Sequence, residues 1–383
     1  MRIRWKLPRI RPVSLILILV GATVLWFLVL SRPRRGLGDQ LDPLKYEHLK
    51  RDYFDVPDSV EYVGPFPDSK VPEGVQLELV DYHDYEQVKR DKARVGLGEQ
   101  GRPAKVPPGN KALEDKLYLD NGFNGLLSDY IALDRSLPDI RHPACASYKY
   151  YKNLPTTSVV IPFFEESLSA LQRTIVSVVN RTPAHLLKEI ILVDDGSFKN
   201  PDLKAPLEAW LRASAPKARL LRLPEREGLI TARMAGAKAA IGDVIVVLDS
   251  HCEVLVNWLP PLLHPIVEDH RVAVCPLIDV IAWDTFAYHA QDDGARGAFD
   301  WNFFYKRIPL AADVAATLPR PFQNPVMNGG LFAISRAFFW ELGGYDPELA
   351  IWGGEQYNLS FKTYIFLPEP EDRDSFTNCV RDK

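Results

Sequence analysis

The sequence predicts an α/β fold: a mostly parallel sheet wound between helices, with a membrane-spanning helix ahead of it. Three observations carry this reading. From Thr156 onward, short runs that are apolar at every position alternate with helically spaced segments. Such runs are the mark of strands covered on both faces. Two of them end in acidic clusters, and in open α/β sheets ligands bind beyond the carboxyl ends of the strands. Residues 13–30 contain no charge at all.

The run VSLILILVGATVLWFLVL (13–30) would span roughly 27 Å as a helix, enough for a hydrocarbon core. Arg2, Arg4, Lys6, Arg9 and Arg11 precede it, and Arg32, Arg34 and Arg35 follow it. That bias predicts a cytosolic tail of residues 1–12 and a lumenal body. The exit into Ser31-Arg32-Pro33-Arg34 is a poor cleavage site, so the run reads as an uncleaved signal anchor. Residues 31–120 are rich in Pro, Gly and charge, without sustained helical periodicity, and read as an extended stem.

The body follows in regular order. Ser158–Ile161 is the first apolar strand, and Leu168–Val179 has helical spacing. Glu189–Val193 is a second strand, stopped by Asp194-Asp195-Gly196-Ser197. Leu207–Ala213 reads as helix, Ala218–Leu223 as strand and Leu229–Ala240 as an Ala-rich helix. Val244–Leu248 is a further buried strand that ends in Asp249-Ser250-His251.

Composition narrows the function. The 383 residues are 46% hydrophobic with a net charge of −4, which excludes a mainly disordered chain and a global field for nucleic acid. The average hides an asymmetry. Residues 1–35 hold eight basic and no acidic residues, leaving 38 basic against 50 acidic afterwards, a net of −12. Four cysteines (Cys145, Cys252, Cys275, Cys379) exclude a disulfide-dense scaffold. No G-x-G-x-x-G or G-x-x-x-x-G-K-[ST] is present, so neither a dehydrogenase nor a P-loop enzyme is supported.

Five places could carry chemistry. Asp249-x-His251 sets a carboxylate and an imidazole on one side of a strand end, a donor pair that tolerates Mn²⁺ and could neutralise a diphosphate. The plain alternative is a capping Asp and a surface His. A carboxylate of Asp194-Asp195, at a strand end, could hold a nucleotide ribose or base, or close an Asx-turn. Arg226, before a helix, could fork onto a phosphate or pair with an acid. Gly329-Gly330 allows close approach of backbone to a ligand, or a tight turn. Trp352-Gly353-Gly354-Glu355 offers a stacking face and a carboxylate, or a structural turn.

Taken together, TSVVIPFFEESLSAL, EIILVDDGS, REGLITAR, LDSHCEV, RGAFDWNF, NPVMNGGLFAISR, ELGGYD and WGGEQYNLSF resemble the polypeptide N-acetylgalactosaminyltransferases, over roughly Asn121 to Lys362. The segment NGFNGLLSDYIALDRSLPDIRHPAC is similar to that family's entry into its catalytic domain. The resemblance implies the GT-A nucleotide-sugar fold for residues 121–362, a Golgi type II membrane protein, UDP-N-acetylgalactosamine as donor, a Ser or Thr hydroxyl of a polypeptide as acceptor, Mn²⁺, and retention at the anomeric carbon. It implies metal ligation by Asp249 and His251, donor contacts from Asp195, Arg226, Ser250, Gly329 and Gly330, and positions beside the donor and transferred sugar for Trp352 and Glu355. Residues 363–383 depart from the pattern and read as a divergent tail, so the family's third metal ligand, covering loop and lectin domain are expected to be missing. Phe164, Glu165, Thr231 and Asn358 also replace residues usual in the family. By the same resemblance Cys145 would have a bridging partner, for which Cys379 is a candidate. The alternative implied function is a catalytically inactive membrane-anchored isoform that binds UDP-sugar or a transferase partner.

Overall fold

The four expected apolar strands lie side by side in an eight-stranded mixed sheet, whose other four strands the sequence pattern does not single out. The structure is a computed structural model that describes residues 53–55, 57, 77–291, 294–365 and 376–379. The sheet strands are β1 (Thr157–Phe163), β2 (Leu187–Asp194), β3 (Ala218–Arg222), β4 (Val244–Val247), β5 (Ala273–Pro276), β6 (Phe322–Gln323), β7 (Phe332–Ser335) and β8 (Phe376–Cys379). Their order is β6-β8-β5-β7-β4-β1-β2-β3. β1 pairs in parallel with both β2 and β4, and β2 with β3. β7 runs antiparallel to β4 and β5.

Every residue of β1 is buried, and its pleat divides two cores. Val159 and Ile161 face the first, with α1 (Leu168–Arg181), α2 (Ala205–Ser214) and α4 (Pro260–Glu268). Val160 faces the second, with α3 (Leu229–Ala239), α5 (Arg336–Glu341) and α6 (Glu355–Ile365). This is why the strands read as unbroken apolar runs rather than alternating ones. The Ala-rich composition of α3 lets it seat close to the sheet: a Cβ on Gly236 would lie 2.3 Å from the Val160 side chain.

Two expectations change. The 31–120 stem includes folded structure. Leu79–Val80 pairs antiparallel with Tyr150–Tyr151, and helices cover Tyr85–Ala93 and Lys111–Asn121. Polar anchoring holds this segment, which is why it shows no apolar stripe. Arg94 forks onto Glu99 (2.9 and 3.1 Å) and Asp134 (2.9 and 3.0 Å), and Glu99 accepts from the Ser136 amide (2.7 Å) and hydroxyl (2.6 Å). The second change lies in 363–383. α6 continues to Ile365, and Phe376–Cys379 is a strand, parallel to β5 and antiparallel to β6. Four residues between ready-made strand edges take their hydrogen bonds from neighbours, so the segment needs no pattern of its own. The 13–30 run lies outside the described residues. Among the described residues no helix is long and apolar enough to cross a membrane.

Two outcomes test this packing. Thr377 is aligned with Val274 on one side and Gln323 on the other. Thr377→Pro removes a ladder donor, so it lowers the unfolding midpoint by several degrees; an unattached tail would tolerate it. His264 of α4 stacks on Tyr151 (4.1 Å between ring centres), and its Nδ1 accepts from the Tyr151 amide (3.3 Å). Burial pushes its pKa down to about 4. The unfolded chain binds that proton near pH 6.5 and the folded chain does not, so stability is full above about pH 6.5 and falls as pH drops toward 4, by about 3 kcal/mol. Glu268, 3.6 Å from the ring and raised by burial, opposes this only at the acid end. Urea denaturation at pH 7 and pH 5 measures the loss, and His264→Gln flattens it.

Candidate active site

The loops beyond β1, β2 and β4 meet the start of α3, the Gly329-Gly330 turn before β7 and the N-terminus of α6. β4 ends before Leu248-Asp249-Ser250-His251, so these residues leave the sheet at its carboxyl edge. Glu166, just past β1, accepts from the Ser250 hydroxyl (2.7 Å) and lies 2.9 Å from His251 Nδ1. Burial works to raise the Glu166 carboxyl, but the bonds from His251, Ser250 and the Ser167 amide outweigh it and hold it low. His251 moves up, chiefly through the same hydrogen bond. Its side chain is 61% exposed, and with Nδ1 held by Glu166 the lone pair of Nε2 is left for a ligand.

Asp249 faces Arg233, a buried cation on α3, at 3.6 Å. The same guanidinium donates to the carbonyls of Gly329 (2.8 Å) and Gly330 (3.3 Å) and lies 3.4 Å from the Glu355 carboxylate. Glu355 also accepts from the Gly353 amide at 3.0 Å. One side chain therefore gathers Asp249, Gly329, Gly330 and Glu355. Gly330 lies against Asp249 as well: a Cβ there would stand 3.4 Å from Oδ2.

The nucleotide-side candidates form a second group. Asp194 is a structural acid, bonded to Arg222 and to the Ser197 amide (2.8 Å). Asp195 accepts from the amides of Glu227 (2.7 Å) and Gly228 (3.0 and 3.1 Å), so it clamps the loop before α3. Burial raises the Asp195 carboxyl, and those amides offset this only in part. Arg226 is exposed, with its guanidinium 4.2 Å over the Phe164 ring. Gly228 has a φ of 96°, and a Cβ there would lie 2.3 Å from Ile351 Cα. The Leu229 amide donates to the Ile351 carbonyl at 2.8 Å. That contact ties the Arg226 loop to the Trp352 loop, and Trp352 itself is 75% exposed.

A cavity of about 450 Å³ reaches from Asp249 and His251 into apolar walls that include Leu248, Trp258, Ile278 and Phe286. Asp249 and His251 offer a hard oxygen and an imidazole nitrogen, which fit a divalent ion held by two side chains with its remaining positions open. Among the described residues, no group of three His, Cys, Asp or Glu side chains converges.

The sequence candidates thus fall into one connected region, and two residues escaped sequence reasoning. Glu166 follows a strand end just as Asp195 and Asp249 do, so the strand-end rule had the signal to find it. Arg233 is one of two cations in the Leu229–Ala240 stretch, the other being Lys238 in its last turn, and it is the one that is buried; a buried charge there demands acidic partners.

The Glycosyl transferase family 2 pattern matches residues 158–343. Polypeptide N-acetylgalactosaminyltransferase 10 from Homo sapiens is 54% identical over 296 residues, which are 77% of this chain and 48% of that protein. Over the matched residues the chain is similar to the polypeptide N-acetylgalactosaminyltransferases. N-acetylgalactosaminyltransferase 6 from Drosophila melanogaster is also 54% identical, over 74% of this chain and 43% of that relative. The chain spans about half the length of the curated relatives it matches. Among solved structures, GalNAc-T7 with UDP, GalNAc and Mn²⁺ is similar at 37% identity and a TM-score of 0.69, covering 86% of this chain and 62% of that one. The GT-A fold expected of the family is the one observed.

The central role of Arg233 is testable. Arg233→Met leaves Glu355 buried without its cation, a change that costs about 3–5 kcal/mol. Denaturant titration measures the loss, and adding Glu355→Gln recovers part of it.

Proposed function

We propose that this chain transfers N-acetylgalactosamine from UDP-N-acetylgalactosamine to Ser or Thr hydroxyls of polypeptides, with retention, as a type II Golgi membrane protein anchored by residues 13–30. The observation that carries the proposal is the convergence on Arg233 of Asp249, the Gly329-Gly330 carbonyls and Glu355. The relatives' names and the UDP, GalNAc and Mn²⁺ in the GalNAc-T7 structure support the substrate and the ion. The charge bias around residues 13–30 supports the anchor.

In this reading Asp249 and His251 hold a divalent ion, and Glu166 keeps the imidazole turned for it. Bound there, Mn²⁺ would supply Lewis-acid neutralisation of the diphosphate. Arg226, exposed on Phe164, meets the anionic or nucleoside part of the donor. Asp195 acts on the donor through the loop it clamps. The Gly329-Gly330 turn, Trp352 and Glu355 surround the sugar. Glu355 is held at both oxygens, so it serves as a fixed acceptor for sugar hydroxyls. The acceptor hydroxyl attacks the anomeric carbon from the face UDP leaves. The new C–O bond forms as the bond to diphosphate breaks, and the hydroxyl proton passes to the departing phosphate oxygen.

A second reading, donor binding without transfer, is favoured by the two-donor ligand set among the described residues. One assay separates the two: the full chain with UDP-N-acetylgalactosamine, Mn²⁺ and a Ser/Thr-rich peptide. Transfer that falls more than about 100-fold in Asp249→Ala supports the enzyme. UDP binding without transfer supports the second reading, and neither binding nor transfer overturns both.

A further inference from the structure

A separate cavity of about 500 Å³ lies between helix Tyr85–Ala93, the Leu133–Arg135 turn and the end of α1. Five arginines line it: Arg90, Arg94, Arg135, Arg173 and Arg181. Only three acids do so: Asp91, Asp134 and Glu253. Arg94 is spent on Asp134 and on Glu99, which holds it from outside the lining. The three deepest cations, Arg135, Arg173 and Arg181, are all buried. Arg135 Nε takes both oxygens of Glu253 (2.8 and 3.1 Å). Arg173 donates to the Ser128 and Ile131 carbonyls (2.6 and 3.3 Å), and its separation from Glu253 is 3.9 Å. Arg181 donates to the Val254 and Arg135 carbonyls (2.6 Å each), with Asp91 at 4.0 Å.

Carbonyls orient a guanidinium but do not neutralise it. Three buried cations therefore face two buried carboxylates, Glu253 and Asp91. Desolvation pushes the pKa values of Arg173 and Arg181 down, the direction of an incompletely compensated charge. In addition, Arg135 Nη2 is buried with no hydrogen-bond partner among the described residues. An unmade buried donor beside excess positive charge asks for an acceptor that carries negative charge. The mouth is open at Arg90 and Asn180, both exposed.

We infer that this arginine-lined cavity is a binding site for a tetrahedral oxyanion, phosphate or sulfate, distinct from the donor site. The planar guanidinium fork matches paired oxygens, and a site lined by several such forks exceeds what a halide needs. Arg173 and Glu253 also line the apolar cavity beside Asp249, so an anion here would brace the wall shared with the donor site.

The test uses thermal unfolding of the full chain in sodium phosphate or sodium sulfate against sodium chloride at matched ionic strength. A saturable rise of several degrees is expected, whereas general salting effects grow without saturating. Titration calorimetry with each anion alone then ranks the two. Arg135→Lys keeps a cation against Glu253 but removes Nη2, and weakens the anion by about tenfold or more. Arg90→Ala, at the exposed mouth, weakens it about threefold and decides the matter if Arg135→Lys does not fold. Asp249→Ala and saturating UDP leave the shift intact. Equal midpoints in the three salts, undiminished affinity in the variants that fold, or loss of the shift in Asp249→Ala would each overturn the inference.

Discussion

Arg233 is the interaction on which the rest of this site depends. A guanidinium buried on an Ala-rich helix must find acceptors, and it finds them on three segments far apart in sequence. Buried ion pairs add little net stability, because desolvation offsets attraction. Their contribution here is geometric: the end of β4, the Gly329-Gly330 turn and the start of α6 have one arrangement that satisfies the charge. The small residues of α3 make this possible by bringing the helix, and Arg233 with it, close against the sheet.

Around that centre the loops are fastened by backbone rather than by the side chains they present. Asp195 holds the amides of Glu227 and Gly228, and Gly228 lets the chain pass against Ile351. Gly196, at φ 71°, seats the Asp194–Ser197 loop on the same turn, where a Cβ would come within 2.6 Å of the Arg226 amide. Arg226 and Trp352 stay exposed because their loops do not need them for anchoring. The division of work between the neighbouring acids follows the same logic: Asp194 is spent on Arg222, and Asp195 on the loop.

The segment leading into the sheet is built on different principles. Residues 77–121 are held by Arg94, Glu99, Asp134 and Ser136, and the cavity at their junction with α1 is lined almost wholly by charged and polar side chains, arginines above all. Such a junction carries no hydrophobic period, so it is invisible to pattern reading even though much of it is buried. The same holds for Phe376–Cys379, whose pairing partners supply what its own sequence lacks.

By itself the sequence determined the parallel half of the sheet and its helices. Complete burial of β1 and β4, and of β2 from Glu189 onward, leaves unbroken apolar runs that a covered strand explains. It also determined that Asp195, Asp249 and His251 stand at the carboxyl edge, because strand ends are where the apolar run stops. Only the tertiary structure decided which groups those residues meet. Glu166 reaches Ser250 and His251 across more than 80 residues of sequence, and Arg233 reaches Gly329 and Glu355 across about 100. Burial pattern is a local property that each segment carries, whereas charge compensation is a property of the site, settled when distant segments leave water together.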